Sequence, residues 1–131
     1  MFREVMIERA DGSDTLTPLM ANAATPIRYK NVFGKDLVSL ITNAIKTDEN
    51  GNESYDIDFV SELAFIMAMQ AKAADGSISI EKVNDVAYIC WLEQFESMAL
   101  TVAAPDILNV YLGNTKTASS AKKNRGKRSV K

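Results

Sequence analysis

Apolar and polar positions change period several times along the chain. Phe2 to Glu8 alternates imperfectly, Asp11-Gly12-Ser13-Asp14 is a turn signal, and Thr15 to Met20 is a second short apolar run. This predicts a short β-hairpin within residues 1–20, with Pro18 confining its strand to an edge. From Thr25-Pro26 the period becomes helical. Threonine serves as N-cap, proline suits the first helical position, and Gly34 closes the segment after Phe33. Asp36 opens a second helix whose apolar face is Leu37, Leu40, Ile41 and Ala44, widened by Val38 and Ile45. Residues 47–56 are a polar loop.

The clearest helix spans 57–74 behind Asp56. Phe59, Val60, Leu63, Ala64, Ile66, Met67 and Ala71 cover a broad face, and Phe65 and Met69 lie outside its centre. A helix apolar over so much of its circumference is buried on more than one side or meets a partner. Asp75-Gly76-Ser77 breaks it. A further helix over 80–99 carries the stripe Val83, Val86, Ala87, Cys90, Trp91, Phe95 and Met98, which places Trp91 and Cys90 in the core. Ala104-Pro105-Asp106 starts a last short helix with Ile107, Leu108, Tyr111 and Leu112, ending at Gly113. From Asn114 onward Val130 is the one large apolar residue, too little burial to offset the entropy of ordering the chain. The expected architecture is mainly α: a single domain over 1–113 with four to five helices and the N-terminal hairpin, followed by a disordered basic tail over 114–131.

Charge sharpens that division. The formal net charge is -2. The tail, however, holds Lys116, Lys122, Lys123, Arg125, Lys127, Arg128 and Lys131 and no acid. The remaining eight basic residues face all 17 acids in 1–113, a balance of -9. The tail lacks aromatic residues that stack on bases, and the body is acidic, so nucleic-acid binding ranks below protein binding. No apolar run is long enough for a membrane span, and the N-terminus carries no apolar signal core. Together with a single cysteine, these features lead us to expect a cytoplasmic protein.

Candidate chemistry is sparse. There is no histidine, which removes the commonest general base and the commonest transition-metal ligand. Asp48-x-Asn50-x-Asn52 resembles the start of a calcium loop, but Glu53 stands where glycine is needed and Phe59 where the bidentate glutamate is needed. Phosphate-cradling glycine motifs are missing. Glu93 and Glu96 share a helix face and read as surface carboxylates. No catalytic residue, metal ligand or cofactor is expected.

Four segments carry a family likeness: Leu19-Met20-Ala21-Asn22-Ala23-Ala24-Thr25-Pro26-Ile27-Arg28-Tyr29-Lys30, Phe33-Gly34-Lys35-Asp36-Leu37, Leu63-Ala64-Phe65-Ile66-Met67-Ala68-Met69-Gln70-Ala71 and Trp91-Leu92-Glu93-Gln94-Phe95. In order and spacing over residues 19–112 the chain resembles the tail assembly chaperones of long-tailed bacteriophages and prophages of Gram-positive hosts. The resemblance implies a small helical factor of the host bacterial cytoplasm, absent from the mature virion. Such a factor binds the tape measure protein and helps recruit tail tube protein around it, without catalysis. It also implies that self-association is open and that a longer, frameshifted form can accompany the short one. A head–tail connector and a small nucleic-acid-binding regulator are the competing readings. Phe65 and Met69, four residues apart on one helix face, are the expected partner-binding residues.

Overall fold

The computed structural model describes residues 1–80 and 83–124, with side chains described only up to Gly113. In chain order the elements are β1 (Phe2–Glu8), β2 (Asp14–Met20), α1 (Thr25–Phe33), α2 (Leu37–Ile41), β3 (Ile45–Thr47), β4 (Glu53–Tyr55), α3 (Ile57–Ala74), α4 (Asp85–Leu92) and α5 (Ala99–Asn124). The architecture is mixed α/β, which corrects the mainly-α expectation. Two antiparallel hairpins contribute, β1–β2 and β3–β4, and the first belongs to the core. Its register runs from Phe2 opposite Met20 to Glu8 opposite Asp14. Val5, Ile7 and Leu19 point inward and are buried with the helices.

α3 is the central element. Its bounds match the sequence expectation, because Asp56 caps it by accepting from the Phe59 N–H at 3.3 Å. Every residue from Phe59 to Ala71 is buried. β2, α1, α4 and α5 all pack against α3. Its wide apolar face is therefore explained by neighbours within the chain.

The second hairpin replaces what reads as a loop. The Asp48 carboxylate accepts from the N–H groups of Asn50 and Asn52, both at 2.9 Å. Gly51 takes the left-handed conformation at φ 85°. This side-chain-closed turn lets Ile45 pair with Tyr55 and Thr47 with Glu53. α2 correspondingly ends at Ile41, before Ala44 and Ile45 can extend its face.

The predicted helix over 80–99 divides. Asn84 caps α4 by accepting from the Ala87 N–H at 2.9 Å, and the helix stops at Leu92. Residues 94–96 then run beside β1: Ala10 N–H donates to the Gln94 carbonyl at 2.9 Å, and Glu96 N–H to the Glu8 carbonyl at 3.0 Å. The Glu96 carboxylate accepts from the Met98 N–H at 2.9 Å just before α5 begins. Pro105 sits inside α5, not at its start, and leaves the Thr101 carbonyl without its helical donor. The helical backbone also continues past Gly113 to Asn124, through a stretch free of breakers. The remainder of the expected disordered tail, 125–131, lies outside the described residues.

Candidate interaction surface

The two residues expected to face a partner are in the core. Phe65 is 0% exposed and Met69 7%. Phe65 sits in a chain of aromatic rings, 5.4 Å from Tyr88, 5.7 Å from Trp91 and 6.3 Å from Phe33 between centroids. Because α3 is covered by neighbours all round, a residue off the centre of its stripe is still interior. Trp91 is buried as expected, its ring 4.8 Å from that of Phe95. Cys90, expected to pack beside it, is exposed, since the short α4 turns only one edge inward.

Polar groups inside the fold hold elements together. Tyr29 OH donates to Glu62 Oε1 at 2.6 Å, and Lys35 Nζ lies 3.1 Å from Glu62 Oε2. Burial, then the Glu62 carboxylate, drives the Tyr29 phenol far above its ordinary range. Tyr88 is pushed up to about 12, by burial first and by the Glu62 charge second. Phenols held so firmly protonated donate hydrogen bonds and do not serve as bases at neutral pH. A hollow of about 340 Å³ is lined by Arg28, Asn31, Val32, Ile66, Ile80 and Val83 and includes neither Tyr29 nor Glu62. The Tyr29–Glu62–Lys35 group thus acts as a joint between α1, the α1–α2 turn and α3. A second joint is Gln70, whose Nε2 donates to the Met20 carbonyl at 2.7 Å and to Thr25 Oγ1 at 2.9 Å. Thr25 is not the N-cap of α1 that the Thr-Pro pair predicts. Ala24 occupies that position instead, and the Thr25 hydroxyl is committed to this tertiary contact and to the Asn22 N–H at 3.0 Å.

The carboxylates noted in the sequence do not converge. Glu96 uses one oxygen for the Met98 N–H and the other for the Ser97 hydroxyl. The Ser97 bond is the larger cause holding Glu96 below the usual carboxylate range. Asp48 is likewise lowered, chiefly by the Asn52 N–H of its own turn. Among the described residues no three His, Cys, Asp or Glu side chains are grouped to hold a metal ion.

What the fold does gather is apolar surface. On the outward face of β1–β2, Phe2 is 55% exposed, Met6 51% and Leu16 49%. Register places Phe2 opposite Met20, Met6 opposite Leu16, and Pro18 opposite Glu4. These positions alternate with the buried Val5, Ile7, Thr17 and Leu19, so both faces of the hairpin are largely apolar. Smaller exposed pairs occur at Val86 and Ile89 on α4 and at Met98 and Val102 near the start of α5. Sequence reading missed the hairpin face. Its signal is that apolar residues occupy both parities of the strands, which a half-buried strand does not require. Among the described residues no helix is long and apolar enough to cross a membrane. No protein-family model, no curated protein and no solved structure matches this chain.

Proposed function

We propose that this protein is a non-catalytic assembly chaperone of the phage-tail type, which binds the tape measure protein and assists assembly of tail tube protein around it. The observation that carries the reading is the open apolar face Phe2–Met6–Leu16, bordered by the half-buried Met20, on an otherwise acidic body. Contiguous exposed apolar surface rimmed by charge is what a protein-binding module presents. The ordered segments that resemble the tail assembly chaperones support the same class. A long helical partner with repeated apolar stripes would engage many copies weakly, each gaining from the others. On this reading the protein works in the host cytoplasm and is left out of the finished particle.

The test is co-expression with a tape measure protein of a long-tailed phage, scoring how much of that protein stays soluble. Protection and co-purification are expected. Failure of both, together with fixed-copy detection of the chain in purified particles by mass spectrometry, would transfer the assignment to a head–tail connector.

A further inference from the structure

We propose that the outward face of the β1–β2 hairpin docks a cationic amphipathic helix of another protein. This rests on the reading of the chain as a binding module and specifies the chemistry of its partner. The outward positions are Phe2, Glu4, Met6 and Glu8 on β1 and Asp14, Leu16, Pro18 and Met20 on β2. Five are apolar and three are acidic; none is basic. A second copy would bring the same three carboxylates against this face and be repelled. A partner with lysine or arginine beside its apolar stripe would be attracted.

Backbone geometry selects a helix over an added strand. The pairs at both ends of the ladder, Met1 with Ala21 and Arg9 with Ser13, are hydrogen-bonded. Odd positions of β1 therefore form the bonded pairs, and even positions turn their backbone groups to the outer edges. On the β2 edge, Pro18 lies at such an even pair and has no N–H to offer. On the β1 edge, the Glu8 carbonyl is already taken by the Glu96 N–H at 3.0 Å. Strand addition is interrupted at both edges, while the face stays open. From the Phe2–Met20 pair to the Met6–Leu16 pair the apolar strip is about 13 Å long. That length accommodates apolar residues spaced over roughly two to three turns of a helix. Two methionines among them supply side chains that adapt to such a stripe.

The experiment titrates the full chain with two synthetic peptides of about five helical turns. One is built from leucine and lysine, the other from leucine and glutamate with the same apolar stripe. The leucine–lysine peptide should bind, more weakly as salt is raised, and the leucine–glutamate peptide should not. Met6→Ser with Leu16→Ser should weaken binding at least about tenfold, the scale of withdrawing one large apolar side chain from a contact. Glu4→Lys with Glu8→Lys, which leaves the apolar strip intact, should weaken it and abolish its salt dependence. Equal binding of the two peptides, or unchanged affinity in either double variant, overturns the proposal. So does a wild-type dimer, seen by sedimentation, that Met6→Ser with Leu16→Ser dissociates, because the occupant is then a second copy. Co-expression separates this proposal from the functional reading. If wild type and both variants protect the long partner equally, the chaperone reading stands and this face is wrong. If wild type binds the leucine–lysine peptide and protects nothing, the face stands and the chaperone reading fails.

Discussion

The N-terminal hairpin and the central helix α3 share a sequence property and differ in outcome. Each carries more apolar residues than a half-buried element needs. In α3 the excess is covered, with Phe65 as interior as Leu63 and Met69 also buried. In the hairpin one apolar face meets α3 and α5, and the other is open at Phe2, Met6 and Leu16. An apolar surplus thus has two meanings, centrality or a docking face. The number of neighbours that the topology places around the element decides between them.

The strongest way to break this comparison is to substitute its buried side. Phe65→Ala should cost about 3–5 kcal/mol, the range for deleting a large buried ring, and Phe65→Asp should leave no folded chain. Trp91→Ala belongs in the same range, since the Trp91 ring packs tilted against Phe65 and edge-to-face against Phe95. Urea denaturation measures both. A folded, near-wild-type Phe65→Asp protein would show that α3 is not central.

Next in size is the joint on α1. Tyr29→Phe removes the closer donor to Glu62 Oε1, which keeps only Lys35 Nζ at 3.3 Å, and should cost about 1–3 kcal/mol for the lost hydrogen bond to a charged group. The same phenol predicts alkaline sensitivity. Tyr29 and Tyr88 have higher pKa values in the folded chain than the unfolded value of about 10. Each therefore contributes stability below that value and loses it as pH rises through the folded value. For Tyr88 the window runs from about 10 to about 12. Urea midpoints should be level from pH 8 to 9 with respect to these groups and fall beyond 10, less steeply in Tyr29→Phe.

Thr17 sharpens the comparison from within the hairpin. Its inward hydroxyl is buried and has no hydrogen-bond partner among the described residues. Thr17→Val keeps the shape and removes an unsatisfied polar group, so a gain of about 1 kcal/mol is expected. A loss of that size would mean that the hydroxyl is satisfied. The smallest effect belongs to the open face. Met6→Ser and Leu16→Ser should each change stability by no more than about 0.5 kcal/mol. A larger drop in melting temperature would place these side chains in a packed contact.

Much of the local structure was legible in the chain. Asp56 before an apolar run marks the start of α3, Asp75-Gly76 marks its end, and Gly34 adopts the left-handed conformation that closes α1. These are short-range signals, each settled by hydrogen bonds within a few residues. The same local logic explains two misreadings. The apolar period from Val83 to Met98 hides the end of α4 at Leu92, because Phe95 keeps the spacing while serving the edge of β1. The polar run 47–56 hides a hairpin, because its strands are three residues each and the turn that joins them depends on one carboxylate.

By itself the sequence determined the bounds of α3, the caps at Gly34 and Asp36, which residues are apolar enough for a core, and that the body is acidic. Only the tertiary structure decided which apolar residues are inside. Burial depends on how many elements surround a position, and periodicity reports a face without saying what lies opposite it. For Phe65 four elements close around α3. Phe2, Met6 and Leu16 alternate with the buried Val5 and Leu19 and lie on the opposite face of the hairpin, where the described residues leave about half of each side chain open.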